Sequence, residues 1–161
     1  MKYFTLLDME PAFNPDLVEL RKRFLNKMKD VHPDLGVLKT GQENLNFSAE
    51  LNHAYGTLKD PMTRLGYILT EKMLLDNNDK SQLSPDFLMQ MIELNEEFSQ
   101  EMDSDSIVIV AKQLEDFEAS LRIPISQFLD APNIPDNTPW QLMKEYYLKI
   151  KYLLRLKEKI Q

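Results

Sequence analysis

The chain has no cysteine and only two histidines among its 161 residues. Without cysteine it can form neither a disulfide nor a thiolate metal site, and a catalytic cysteine is excluded. The two imidazoles, of His32 and His53, are too few for a histidine-rich zinc site. Any metal chemistry associated with this protein therefore belongs to a partner, and we expect neither a metal site nor a cofactor in the chain itself.

Positive charge and long apolar runs are also scarce. Nineteen lysines and arginines against 26 aspartates and glutamates give a net charge of −7, which argues against nucleic acid as the main ligand. No apolar run approaches the ~20 residues that a membrane span needs, and the first residues lack the composition of a leader or a transit peptide. We expect a cytoplasmic protein that binds neither nucleic acid nor membrane, although a processed organellar protein would share these features.

Only four glycines are present and runs of β-branched residues are short, so little of the chain suits a sheet. Nearly every long segment instead has helical period, which predicts an all-α fold. The predicted helices cover residues 3–8, 14–31, 43–59, 61–69, 85–102, 107–129 with an interruption at Pro124, and a last helix from Pro139. Residues 76–82 contain no apolar side chain and are predicted to be a linker.

Three helix starts show a capping side chain followed by proline: Asn14-Pro15, Ser84-Pro85 and Thr138-Pro139. Apolar residues spaced by three and four predict a buried stripe on each long helix. In the second helix the stripe is Leu17, Leu20, Phe24, Met28 and Val31. In the later helices the stripes are Phe87, Met91, Leu94, Phe98 and Met102, then Val110, Leu114, Phe117, Leu121 and Phe128, and finally Met143, Tyr147, Ile150 and Leu154. Three such helices with short connections indicate an antiparallel three-helix bundle in the second half of the chain.

The triplet His32-Pro33-Asp34 follows the second helix, which Pro33 is expected to end. Its polar side chains should project from a stiff turn, where they are placed to contact a partner. Lys22, Asn26 and Lys29 share the exposed face of the same helix and could steer an acidic partner. An ordinary turn and plainly solvated lysines are the alternatives.

The helix from Pro85 has apolar residues left over after its core stripe is assigned. Leu88, Met89 and Ile92 lie roughly 100–200° from Phe87, with Glu93, Glu96 and Gln100 on or beside the same sector. In the last helix, Leu148, Tyr152 and Leu156 follow at every fourth position on the side away from Ile150. If the two helices are neighbours, these residues form an apolar, acid-rimmed patch suited to protein binding. A bundle with wide apolar faces, in which Leu88 and Ile92 are core margin, is the alternative.

Several segments resemble a known family in order and spacing. Residues 3–7, the basic second helix with its His-Pro-Asp triplet, and residues 51–61 resemble a J-domain. Residues 64–69 and 87–97 resemble HscB, the J-protein of iron–sulfur cluster assembly. The resemblance implies an N-terminal J-domain, made of a helical hairpin with short flanking helices, over residues 1–75. It further implies a linker over 76–83 and a C-terminal three-helix bundle over 84–161.

The resemblance also implies a function. The J-domain would promote ATP hydrolysis by a heat-shock-70-class chaperone of the HscA or DnaK type through His32, Pro33 and Asp34. The bundle would hold the scaffold protein IscU through Leu88, Met89, Ile92, Glu93, Glu96, Gln100 and Tyr152. No phosphate-binding loop or nucleophile with its base is found, so we expect an activator of a partner's ATPase and not an enzyme. A different client for the bundle, or weak self-association, stays open.

Overall fold

The computed structural model describes residues 1–31, 41–75, 83–98 and 104–158. Within these ranges the secondary structure is entirely helical, so the predicted all-α class is confirmed. The helices are α1 (Lys2–Leu6), α2 (Leu17–Val31), α3 (Gly41–Lys59), α4 (Pro61–Glu71), α5 (Pro85–Phe98), α6 (Ser104–Arg122), a 3-10 helix (Ile123–Ile125), α7 (Ser126–Leu129) and α8 (Trp140–Lys157). None of the helices in the described part of the chain combines the length and the apolar character needed to cross a membrane.

By their internal contacts the residues fall into two units. The first consists of Met1–Lys72 with Phe128–Thr138, and the second of Met73–Gln127 with Pro139–Gln161. This division is not the sequence-based one, in which residues 128–138 belong to the C-terminal bundle, and the domain boundaries given above stay a prediction. The predicted linker over residues 76–82 lies outside the described residues.

The first unit is built on α2 and α3, which pair as a hairpin with α1 and α4 beside it. The ring of Phe24 on α2 stacks on that of Tyr55 on α3, with 4.3 Å between the ring centroids. Completely buried side chains from all four helices form the core: Phe4, Leu7, Leu20, Leu51, Leu58, Ile68 and Leu69. The predicted hairpin with short flanking helices is therefore confirmed.

The start of α2 differs from the prediction. The helix begins at Leu17, and the side chain of Asp16 caps it by accepting hydrogen bonds from the N–H groups of Val18 (2.8 Å) and Glu19 (3.1 Å). The predicted Asn14-Pro15 start is wrong because Asp16, two residues later, offers an equally good capping carboxylate. Leu17, predicted to be buried, is 49% exposed, since it occupies the first helical position, at the end of the stripe.

The second unit contains the three long helices α5, α6 and α8. Phe87 near the start of α5 stacks on Phe117 near the end of α6 (6.1 Å between ring centroids), as expected where these two helices run antiparallel. Met91, Leu114, Met143, Ile150 and Leu153 are completely buried. The predicted interruption at Pro124 is confirmed, because the 3-10 helix separates α6 from α7 at that point.

Two further cap predictions have different outcomes. Ser84 caps α5 as predicted: its Oγ accepts a hydrogen bond from the N–H of Phe87 (3.3 Å). Thr138 does not cap α8, which begins at Trp140; its hydroxyl instead donates to the carbonyl of Pro135. The Thr138 prediction is wrong because a hydroxyl can donate as well as accept a hydrogen bond, and here a nearby carbonyl oxygen accepts that hydrogen bond.

Candidate functional site

The exposed face of α2 carries the first group of predicted site residues. Lys22, Asn26 and Lys29 are all exposed, as the helical spacing requires. Arg21 is exposed at the edge of this face. The other two basic residues of the helix are paired: Arg23 binds Glu19 (2.7 Å) and the carbonyl of Asp8, and Lys27 binds the Asp8 carboxylate (2.7 Å). These contacts fasten α2 to the end of α1 and leave Lys22 and Lys29 directed to solvent.

Two acids border this face of α2, Glu19 and the exposed Asp30. Glu19 accepts from Arg23 and lies 3.4 Å from the Lys22 ammonium. The hydrogen bond from Arg23, together with the charge of Lys22, holds the pKa of the Glu19 carboxyl below its usual range. The carboxylate therefore stays ionised and is satisfied within the helix, so the outer face keeps a positive character.

The triplet His32-Pro33-Asp34 lies outside the described residues. Helix α2 ends at Val31, so the triplet follows directly in the chain, as the sequence predicts. Its role stays a prediction.

The outer face of α5 carries the second group. Met89 is 61% and Ile92 55% exposed, and Glu93 and Glu96 are exposed beside them. Leu88 is half-buried. The core-margin alternative is therefore wrong for Ile92, and the helix presents aliphatic side chains next to two carboxylates. Gln100 lies outside the described residues.

Three apolar residues of the last helix were predicted to contribute to this surface, and of these only Tyr152 is partly exposed. Its half-buried ring meets that of Phe87 edge-on, with 5.9 Å between centroids, which places it beside the first turn of α5. Leu148 and Leu156 are buried, so their assignment to a surface stripe is wrong. Helix α8 buries more than one side, whereas the predicted core position Leu154 is exposed.

Sequence reasoning missed two features of these surfaces. Val18 and Leu25 are exposed on the same face of α2 as Lys22 and Lys29, and their seven-residue spacing was the available signal. A shallow groove of about 280 Å³ lies between α5 and α6, next to Glu93. Its lining is Gln90, Met91, Glu93, Leu94, Gln113 and Phe117. Glutamines on two different helices gave no periodic signal that would have joined them.

The part of the chain that the structure describes contains no group of three or more histidine, cysteine, aspartate or glutamate side chains that could hold a metal ion. A second concavity, about 360 Å³, is lined by Tyr3, Glu50, His53, Tyr67 and neighbouring side chains. Glu50, one of the two acids that line this concavity, is paired with Lys2. The Tyr67 hydroxyl accepts a hydrogen bond from the N–H of Tyr3 (2.9 Å). These pairings serve the packing of α1 on α3 and α4.

Comparison with known proteins gives consistent matches. Residues 83–161 match the family model described as the HSCB C-terminal oligomerisation domain. The chain is 28% identical to the co-chaperone protein HscB of Proteus mirabilis, over 100% of this chain and 94% of that protein. It is 37% identical to an HscB homologue of Colwellia psychrerythraea, over 60% of this chain and 57% of the relative.

The fold has a close counterpart among solved structures. The human co-chaperone protein HscB superposes with a TM-score of 0.81 at 22% identity, over 98% of this chain and 79% of that one. At this identity the likeness is one of fold, and it extends across both units.

Proposed function

The chain belongs to the HscB family of J-type co-chaperones, and on that premise we propose that it stimulates ATP hydrolysis by an HscA-type, heat-shock-70-class chaperone and delivers the iron–sulfur scaffold protein IscU to it. Cluster transfer and maturation of iron–sulfur proteins follow from that delivery. The chain is thus a regulator, with the ATP chemistry in its partner. The cytoplasmic location stays a prediction.

One observation supports this proposal most directly: the two units expose surfaces of different chemistry. The first unit presents the basic face of α2, and the second presents aliphatic side chains beside Glu93 and Glu96 on α5. A basic surface favours an acidic partner, and an apolar surface with an acidic rim favours a partly apolar one. Two such surfaces suit an adaptor that binds two different proteins.

In this proposal the J-domain contacts the chaperone. Lys22, Asn26 and Lys29 dock α2 on an acidic part of the chaperone, and the residues following Val31 act on its nucleotide-binding domain. His32, Pro33 and Asp34 are proposed to promote hydrolysis, since they come directly after the docked helix and the proline fixes the turn.

The bundle is proposed to hold the scaffold. Leu88, Met89 and Ile92 provide apolar contact, Tyr152 adds an aromatic ring beside the first turn of α5, and Glu93, Glu96 and Gln100 form the polar rim. Methionine suits such a surface because its unbranched side chain adapts to the partner.

Chaperone stimulation is tested with His32→Gln. We expect the variant to lose stimulation of the chaperone's steady-state ATP turnover while its circular dichroism and melting temperature are unchanged. His53→Gln, which changes the other, exposed histidine on α3, is the matched control and should stimulate as wild type does. Normal stimulation by His32→Gln would exclude the triplet as the trigger.

Scaffold capture is tested with Leu88→Ala combined with Tyr152→Ala, in a pull-down with purified scaffold protein. We expect binding to fall at least tenfold. Because Tyr152 also contacts Phe87, Met89→Asp is a second variant that changes only an exposed side chain and should weaken binding as well. Ile123→Ala with Leu142→Ala, exposed aliphatics elsewhere, is the control. If Leu88→Ala/Tyr152→Ala and Met89→Asp both capture scaffold as well as wild type does, this surface is not the scaffold-binding site.

A second candidate function is self-association, which the description of the matched C-terminal model as an oligomerisation domain favours. In that case the α5 surface contacts another copy of the chain. Sedimentation of the purified protein across a concentration series distinguishes the two, because scaffold binding predicts a monomer whose mass changes only when scaffold is added.

A further inference from the structure

An exposed stripe of α2 alternates aliphatic and basic side chains. Val18, Lys22, Leu25 and Lys29 follow at intervals of four, three and four residues, which places them within about 60° of arc on one helix face. Val18 is 79% and Leu25 46% exposed. We propose that Val18 and Leu25 make an apolar contact with the chaperone alongside the two lysines, so that the partner surface recognised here is both acidic and apolar. This inference rests on the proposed function and adds two residues and a second kind of chemistry to it.

The charge around the stripe supports a single, acidic occupant. With Arg21 at one edge and Asn26 at the other, the sector spans about 140° of the helix and contains no acidic residue, although the chain as a whole has a net charge of −7. Of the two acids that border the sector, Glu19 is already bound by Arg23 and Lys22, and Asp30 lies in the last turn of the helix, beyond Lys29. The positive sector attracts an acidic partner, whereas two copies of this chain carry the same negative net charge and repel each other as whole molecules.

Val18 and Leu25 are not among the buried residues that form the core of the first unit. Leu20 of the same helix is completely buried and Phe24 stacks on Tyr55, so other side chains of α2 provide its main packing. Polar residues would serve equally well at positions exposed only to water. Covering the two side chains with an apolar part of the partner removes their surface from water, which favours binding.

The two kinds of contact respond differently to salt, and that difference provides the test. Salt screens the attraction between exposed charges, whereas an apolar contact is not weakened by it. We therefore expect Lys22→Gln with Lys29→Gln to weaken binding at low salt and to matter little at high salt. Val18→Gln with Leu25→Gln should weaken binding at both, and glutamine keeps the helix propensity close to that of leucine.

The measurement is the concentration of full-length protein that gives half-maximal stimulation of the chaperone's ATPase, at 50 mM and at 500 mM KCl. We expect Val18→Gln with Leu25→Gln to raise this concentration roughly five- to twentyfold at both salt levels and to leave maximal stimulation unchanged. Val18→Ile with Leu25→Met, which keeps the surface apolar, should stay within twofold of wild type.

Val108→Gln with Leu142→Gln is the matched control, since these residues are 67% and 46% exposed and undergo the same chemical change in the other unit. If Val18→Gln with Leu25→Gln behaves as this control does while wild type stimulates normally, the inference is overturned and the proposed function stands. If wild type itself fails to stimulate the chaperone, the proposed function fails, and this inference fails with it.

Discussion

Arg64 is a charged side chain in the interior of the first unit, where it is only 2% exposed. Its guanidinium donates from Nε to the carbonyl of Phe13 (2.8 Å) and from Nη1 to the carbonyl of Leu58. Burial lowers the pKa of Arg64, and the charge of Asp60 partly opposes this effect. Arg64 on α4 thereby binds both the loop before α2 and the end of α3. These two segments determine how α2 is positioned.

Replacing Arg64 should destabilise the first unit. Arg64→Met leaves two inward-facing carbonyl groups without their donors, and we expect the free energy of unfolding to fall by about 2–4 kcal/mol. Arg21→Met, a change of an exposed arginine on α2, should stay within about 0.5 kcal/mol of wild type. Urea unfolding followed by circular dichroism measures both, and equal stabilities would show that the two carbonyl contacts contribute nothing.

The ion pair at the edge of the basic face makes a prediction about pH. The hydrogen bond from Arg23 and the charge of Lys22 lower the pKa of Glu19 in the folded protein. The stabilisation that this ion pair provides is therefore fully present above the pKa of a glutamate in the unfolded chain. It is lost as the pH falls through the lowered pKa of Glu19 in the folded protein. Arg23→Gln should raise the pKa of Glu19 toward the ordinary value, which a carboxyl-carbon NMR titration would detect. An unchanged titration would contradict the assigned cause.

At the scale of the helix, the sequence predicted the existence and type of elements better than their ends. Strong periodicity located α2, α3 and α6 within a few residues, and Pro124 correctly marked the break after α6. The start of α2 was misplaced because Asn14 and Asp16 are both good capping residues and only the folded chain shows which one meets the free N–H groups. Burial on α8 was only partly predicted, since a helix that packs against two neighbours, here α5 and α6, buries residues outside any single stripe.

The corrected start of α2 is directly testable. Asp16→Ala removes the side chain that accepts from the N–H groups of Val18 and Glu19, and we expect it to cost about 1 kcal/mol of unfolding free energy. Asn14→Ala removes the capping residue expected from the sequence and should have almost no effect, because Asn14 is exposed outside the helix. A larger loss for Asn14→Ala than for Asp16→Ala would reverse this assignment. Chemical denaturation of the two variants side by side provides the comparison.

At the scale of the whole molecule, the all-α class and the family were both accessible from the sequence, because short local motifs carry them. The exposure of Met89 and Ile92 was also predictable, since helical spacing alone separates them from the Phe87 stripe. The apolar contact proposed for α2 was only partly predictable, because the seven-residue spacing of Val18 and Leu25 is visible in the sequence but their exposure is not. In the proposed function, delivery of the scaffold to the chaperone depends on the two surfaces being joined in one chain. The joining raises the effective concentration of one partner near the other.

The central claim is that a single chain links the chaperone to the scaffold, and complementation between variants tests it most directly. The measurement is chaperone ATP turnover with scaffold present, comparing wild type with an equimolar mixture of His32→Gln and Leu88→Ala/Tyr152→Ala. Each variant in the mixture keeps one proposed site and lacks the other. With wild type and scaffold together, we predict an ATP turnover that rises by more than the sum of two separate increases, the one that wild type causes alone and the one that scaffold causes alone. With the mixture of variants and scaffold, we predict no such excess in turnover. A mixture that restores the full wild-type excess would contradict the claim, because the two sites would then act without being joined.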